Sequence, residues 1–500
     1  MALARLGKRQ EARRCLKSGS GKAPSDKRFP QELAGLAFQE RRLTEAKTLL
    51  FRALTLDPRD AYTLDFLGSV FFMEDNFEAA LKYWNSIGKP RIRDIQIEPR
   101  PRLKPELLDH VFQFAPASLL RLEELRLTRT GLDQLGVFSN YRFELLPQPG
   151  AEFDLAFHPV ERNGLGDGLL DTLASMFRTA PAQIFNLEVY NLRARATNWL
   201  SLYRWNAQKR RLFSVLSGVW QENPRWCYRG WGDLREENWE LARIYQGPSP
   251  PLGDLRLQTM KGGFELHHAA SEHWDWTSGI ELAHRKYRNV PPGVPGAGEL
   301  FSHGISLKYR SGSNYRLLSL PEHQLVVWSS TRGEIARQFS RPGFTYARLR
   351  EDVQARWLPG SNGKDYVFSA AFRASKGLGS LPFDELAMLG MERENDLPLH
   401  GHPASYHGKK GNVYLGRDFL LLNTEFDKRV YTHPWFELSL GPLLDVGKTY
   451  DEPGRFASPK WILDLGLQAR IQLRNGSTLS LSYGRSLRDS ERVFFVALSK

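Results

Sequence analysis

From residue 183 to the end of the chain, apolar and polar side chains alternate in one segment after another, and this pattern limits the possible folds most. In residues 461–474, Trp461, Leu463, Leu465, Leu467, Ala469, Ile471 and Leu473 fall on one face. Asp464, Gly466, Gln468, Arg470, Gln472 and Arg474 make up most of the other. Successive side chains of a strand point to opposite faces, so the segment is apolar on one side and polar on the other. Its length suits a tilted strand crossing a bilayer. Asn475-Gly476 supplies a tight hairpin turn, after which Leu479, Leu481 and Tyr483 resume the alternation. Sixteen such segments can be read, including separate ones near 225–234, 237–246, 298–311, 414–429 and 434–447. An even number is what a single-chain barrel of bacterial type requires.

Strands of a large soluble β-protein average about five or six residues, whereas many of these segments are about twice as long. Mean hydropathy is −0.44. That value does not oppose a membrane barrel, because only every second residue meets lipid. No stretch has the roughly 20 apolar residues of a membrane helix. The 13 Trp residues fall almost entirely after residue 190, and Trp199, Tyr203, Trp205, Trp274 and Trp276 suit interfacial girdles. The net charge of +13 is dispersed, with short runs such as Lys209-Arg210-Arg211. It lacks the concentrated, aromatic-interleaved stripe of a nucleic-acid face, so lumenal or lipid-facing charge is expected and nucleic acid is not. Cys15 and Cys227 are isolated and imply neither a zinc site nor a disulfide framework.

Residues 1–90 follow a different rule. Ala12, Ala46 and Ala80 are spaced by 34, as are Leu16, Leu50 and Trp84, while Leu33 matches Leu67 and Phe38 matches Phe72. This period resembles the tetratricopeptide repeat, whose helix pairs build concave surfaces for partner proteins. The first repeat lacks most of its opening helix, and no export signal precedes it. The natural chain is therefore expected to begin further upstream, with a signal peptide. Residues 91–162 read as β-α-α-β-β, with helices near 103–112 and 118–135 and Gly136 ending the second. Residues 163–182 read as a linker with a short amphipathic helix around 169–177, leaving 183–500 for the barrel.

The run Leu135-Gly136-Val137-Phe138 before an alternating strand resembles the polypeptide-transport-associated (POTRA) domain, in which a strand edge can accept an incoming chain. The block from Tyr203 to Arg211 resembles a strand-turn-strand block of the BamA/TamA outer-membrane assembly-factor (bacterial surface antigen) superfamily. A long stretch from about 381 to 411 would then be that family's inward-folded loop, and the end of the chain, Phe494 to Lys500, resembles a last-strand insertion signal without its terminal aromatic. The loop tip of the family carries Arg-Gly-aromatic; the matching positions here are Leu399-His400-Gly401-His402. The resemblance implies that the tip is anchored in the lumen by wall carboxylates. Glu425 and Asp445, on polar faces, are the candidate partners of His400 and Gly401, with Asn423 nearby. Histidine in place of arginine makes such an anchor depend on pH.

Together these readings predict a multidomain chain: all-α helical repeats, a small α+β POTRA-like domain, and a 16-stranded antiparallel transmembrane β-barrel in an outer membrane with its arm in the periplasm. The resemblance implies protein assembly or translocation, with client or accessory proteins and outer-membrane lipid as partners; a passive pore or scaffold is the alternative. No GxSxG, HExxH or phosphate-binding glycine loop appears, so no enzymatic activity, cofactor or metal is expected. The loop histidines are more ordinary as solvated or anchoring groups than as metal ligands.

Overall fold

A computed structural model describes residues 6, 8–149, 152–162, 183–247, 254–340, 343–360, 365–452, 454–473 and 477–499. Five helices come first: α1 (Arg9–Lys22), α2 (Arg28–Gln39), α3 (Leu43–Leu56), α4 (Ala61–Met73) and α5 (Phe77–Asn85). Helices α2 and α3 pack as one hairpin, and α4 and α5 as the next. Residues repeated at the 34-residue interval form the interior: Ala12, Ala46, Ala80, Leu50, Leu67 and Trp84 are at most 4% exposed. Small residues there let the helices approach; a Cβ on Gly68 would come within 2.5 Å of the Trp84 ring. Asp60 and Asn76 start α4 and α5 by accepting hydrogen bonds from the Thr63 and Ala79 amides, which satisfies N–H groups the helix leaves free.

The next unit runs β1 (Arg91–Ile97), α6 (Pro105–Val111), α7 (Leu122–Leu135), β2 (Phe138–Gln148) and β3 (Glu152–Glu161). Strand β3 is central, parallel to β1 and antiparallel to β2. Gly136, at φ 64°, takes the left-handed conformation that ends α7, a position glycine occupies without strain. Helix α7 begins four residues later than the sequence suggests, because residues 118–120 bond to the edge of β1: Ile92 N donates to Ser118 O and Leu120 N to Pro90 O. Phe153 packs on Trp84 and Phe72, so helices and adaptor share one continuous core. The expected linker at 163–182, with its short helix, lies outside the described residues, as does the turn at Asn475-Gly476.

The remaining chain is a large antiparallel sheet in which the long strands follow chain order. They are β4 (Ile184–Leu192), β5 (Thr197–Trp205), β6 (Lys209–Trp220), β7 (Asn223–Glu240), β8 (Asp254–Ala269), β9 (Trp274–Arg288), β10 (Gly304–Leu320), β11 (Leu325–Gln338), β12 (Thr345–Trp357), β13 (Tyr366–Gly379), β14 (Asp418–Thr432), β15 (Phe436–Tyr450), β16 (Ile462–Leu473), β17 (Thr478–Ser486) and β18 (Arg492–Ser499). Fifteen long strands therefore lie among the described residues, where the sequence suggests sixteen. The two segments expected near 225–234 and 237–246 are one strand, β7, whose register continues unbroken through Arg235, Glu236 and Glu237. That charged run resembles a turn in sequence. In the fold, Asp233, Arg235 and Glu237 point inward and neutralise one another and their neighbours.

One face of the sheet is apolar and open. Leu212, Leu216, Leu234, Met260, Ile280, Leu282, Ile335, Leu349, Leu465 and Leu467 are 43–65% exposed. Half-exposed side chains of this size cost about 1 kcal/mol each in water. A contiguous apolar face of this extent is more than a water-facing surface normally carries, and it marks contact with another apolar phase. Hydrocarbon removes that cost. Aromatic residues stand at strand ends on the same face: Trp205 closes β5, Trp274 opens β9 and Trp357 closes β12. The opposite face carries the buried polar residues Asp233, Glu281, Asp445, Asp464 and Gln468.

Candidate functional site

Between β13 and β14, residues 380–417 do not extend away from the sheet. The segment folds against its polar face, and the sheet rolls around it. Three groups of contacts hold it.

At its root, Phe383 packs among Trp239, Phe301 and Phe456. The neighbouring acids meet four cations of the wall. Arg285 Nε donates to Asp384 at 2.6 Å, and Tyr287 Oη donates to the same oxygen at 2.9 Å. Glu385 accepts from Arg285 Nη2 at 2.7 Å and Lys308 Nζ at 2.8 Å, with Arg348 at 3.2 Å and Lys261 at 3.3 Å. These cations come from β8, β9, β10 and β12. They point inward because their apolar neighbours in the alternation, such as Leu282 and Leu307, point outward.

Further along, Glu392 binds Lys209 at 2.8 Å, and Glu394 binds Arg204 at 2.8 Å and Arg211 at 3.0 Å. Lys410 returns the favour with opposite polarity, meeting Glu237 at 2.6 Å. Its backbone and that of Gly411 run beside Trp239 and Glu240 of β7.

The tip is Leu399 to His402. The His400 amide and Nδ1 both donate to Asp445 Oδ2, at 2.7 and 2.8 Å. The Gly401 amide donates to Asp464 Oδ2 at 2.6 Å. His402 lies between two carboxylates, with Nδ1 2.9 Å from Asp464 and Nε2 3.3 Å from Asp489. A carboxylate only accepts, so both His402 nitrogens carry protons in this arrangement. Asn423 completes the cluster, donating to Asp445 Oδ1 at 2.7 Å and to the Pro398 carbonyl at 2.9 Å. Asp445 and Asp464 are fully buried. Burial disfavours the charged imidazoles, but the facing carboxylates outweigh it and raise both His400 and His402 above the ordinary histidine value.

Two glycines make this approach possible. A Cβ on Gly401 would lie 2.5 Å from Ser486 N and 2.7 Å from Asp464 Cγ. One on Gly484 would lie 2.2 Å from the His400 carbonyl oxygen. Gly401→Ala should therefore push the tip off the wall at a cost of about 1–3 kcal/mol, read as a lower melting temperature of the detergent-solubilised protein. An unchanged melting temperature would contradict this placement.

Of the residues singled out in the sequence, His400, Gly401, Asp445 and Asn423 meet at the tip. Glu425 does not join them; it pairs with Arg470 of β16. In the sequence, His402 stands in the tip motif and Asp464 on a polar face, but neither has an anchoring role there; Asp489 and the acids at 384, 385, 392 and 394 escaped the sequence reading. The loop's main polarity is also reversed: loop acids meet wall cations except at the tip and at Lys409 and Lys410, which pair with Asp254 and Glu237.

The arm docks at the end of the sheet opposite the loop. Asn76 Nδ2 donates to the Pro321 carbonyl at 2.7 Å, and Lys82 meets Glu322 at 2.7 Å. Arg126 of α7, nearly buried, joins Glu78 of the helices to Glu272 and Ser319 of the strand ends. The corner between α4 and α5 thereby roofs a cavity of about 1230 Å³, whose walls include Trp328, Arg356, Arg429 and Phe436.

No protein-family model and no curated protein sequence matches the chain. Solved structures do. CdiB from Acinetobacter baumannii aligns with a TM-score of 0.50 and 11% identity over 82% of this chain and 73% of that one. CdiB from Escherichia coli aligns with a TM-score of 0.50 and 12% identity over 82% and 75%. BamA from Haemophilus ducreyi lacking POTRA domains 1–3 aligns with a TM-score of 0.49 and 13% identity over 82% and 84%. At such identities the likeness is one of fold: an N-terminal region followed by a barrel-type sheet.

Proposed function

We propose that this chain is an outer-membrane protein assembly or translocation factor. Its sheet would close into a barrel by pairing of its first and last strands. The helices would act as tetratricopeptide-like repeats and the adaptor as a POTRA-like domain, both in the periplasm, capturing an unfolded client or accessory protein. The segment 380–417 would be the barrel's inward loop, with His400, Gly401 and Asp445 anchoring its tip and Glu425 contributing only charge.

One observation carries this reading. A helical arm is bonded to one end of a large antiparallel sheet with an open apolar face, and a retained loop covers the polar face of that sheet from the other end. A passive pore has no use for a roofed mouth and a lumen full of ion pairs. The fold shared with the CdiB barrels supports the reading, as does the resemblance to the BamA/TamA superfamily. Strand pairing at the barrel edge can supply the driving force, so no nucleotide or cofactor is needed.

Removing residues 1–162 should abolish client export or insertion while the barrel still inserts. Unchanged client handling, or a permanently open pore in single-channel recordings of the intact protein, would favour the passive alternative. A gentler version targets the dock. Arg126→Glu places like charges against Glu78 and Glu272, so the arm should become protease-sensitive while the barrel stays resistant. Equal resistance of the arm in both proteins would refute the dock.

A further inference from the structure

The outer wall carries a charge pattern that the proposed transport role leaves unused. At the end away from the arm, Arg256 of β8, Lys286 and Arg288 of β9 and Arg337 of β11 all lie on the outward face. Their inward alternates Leu257, Arg285, Tyr287 and Ala336 are buried. Arg256 and Arg288 stand directly opposite each other in the ladder, and Lys286 follows opposite Gln258. Like charges so placed repel. Arg256 meets one acid, Glu236; Lys286, Arg288 and Arg337 have no ion pair among the described residues. At the arm end of the same outward face, Lys428 lies over the Tyr366 ring, and no comparable row stands there among the described residues. Farther round the upper rim, Lys376 and Lys448 have local partners, Asp418 and the Tyr450 ring.

Directly beneath the row lies an apolar field. Met260, Ile280, Leu282, Leu307 and Ile335 are 42–63% exposed on the same strands. Such a surface has two parts, cations above and hydrocarbon contacts below. Four cations spread over three strand spacings, about 14 Å, exceed what one small anion can cover.

We infer that β8–β11 form a binding site for a phosphorylated glycolipid of the outer leaflet, with headgroup phosphates on Arg256, Lys286, Arg288 and Arg337 and acyl chains on the field below. Free phosphate would use only the upper half of the surface. The inference rests on the membrane-barrel reading and its orientation, because only then does this row sit at the level of outer-leaflet headgroups.

The test uses the full chain in phosphatidylcholine nanodiscs doped with lipid A, and reads by native mass spectrometry the lipid A retained per barrel after transfer to detergent. A cation near a membrane surface contributes about fivefold in affinity. The quadruple variant R256Q/K286Q/R288Q/R337Q should thus lose retention by about a hundredfold or more, while K376Q/K448Q should stay within about twofold of the parent. Retention by the quadruple variant equal to the parent overturns the site. So does equal retention of dephosphorylated lipid A, or saturable binding of inorganic pyrophosphate by the row without lipid. Heat-modifiable gel migration reports folding of each variant, and R288Q/R337Q replaces the quadruple if that fails to fold. A parent chain that does not enter nanodiscs overturns the barrel reading and this site together, whereas a folded variant that keeps lipid A overturns the site alone.

Discussion

Exchange of Glu385 for glutamine is expected to cost about 3–5 kcal/mol and to release the root of the inward loop. Glu385 is almost fully buried and faces Lys308, Arg285, Arg348 and Lys261. Glutamine keeps the shape and an acceptor but removes the charge, leaving Asp384, Glu334 and Glu281 to face the four cations without the acid that touches all of them. Desolvating an ion without its partner is what makes such a loss large. Asp396→Asn is the control: its carboxylate pairs with Arg350 but is mostly exposed, so the change should cost under about 1 kcal/mol. The readouts are the temperature at which the heat-resistant gel form disappears, and new protease cuts within 380–417. The pH dependence has a definite sign. Burial would raise the Glu385 carboxyl, but the cations outweigh it and hold it well below the usual carboxylate range. Its contribution is complete above the unfolded value near 4.3, and is lost only as pH falls through the depressed folded value.

The second expected result concerns the tip and has the opposite sign. His400 and His402 are raised above the ordinary histidine value of about 6.5 by the carboxylates they face. Their contribution is complete below that unfolded value and is lost as pH rises through the raised folded values. The loop tip should therefore be held in mildly acid medium and loosen in alkaline medium. Each charge-assisted hydrogen bond forfeited to a buried carboxylate costs about 1–3 kcal/mol. A spin label near the tip should show its mobility rising with pH in the parent. His400→Asn/His402→Asn should be mobile throughout, and His400→Arg should flatten much of the profile because a guanidinium stays charged. A pH-independent label in the parent would contradict the ion-pair description. Acid thus threatens the root and alkali the tip.

Much of the architecture was readable because a sheet with one apolar and one polar face imposes a two-residue period on every long strand. The period of 34 in the helices was readable for a similar reason: Ala12, Ala46 and Ala80 recur where helices touch. The error at 225–246 came from Arg235-Glu236-Glu237, which resembles a turn to a reader who cannot see that two of the three point to the charged inner face of the sheet. The tip was legible only in part. Alternation puts Glu425 and Asp445 on the inner face, but says nothing of height or of neighbours two strands away. Arg470, not His400, is the cation within reach of Glu425. The acids at 384, 385, 392 and 394 were not legible at all. They lie in an aperiodic loop, and their partners are set by how the sheet curls around it.

The central claim is that the alternating strands form a lipid-embedded barrel. Its most direct test is gel migration of the detergent-extracted membrane fraction, with and without boiling. The account predicts a chain that requires detergent for extraction and runs as a faster, compact band until boiling converts it to the slower unfolded form. A single band at the 57.2 kDa position in both lanes, from protein released by aqueous buffer alone, would contradict it.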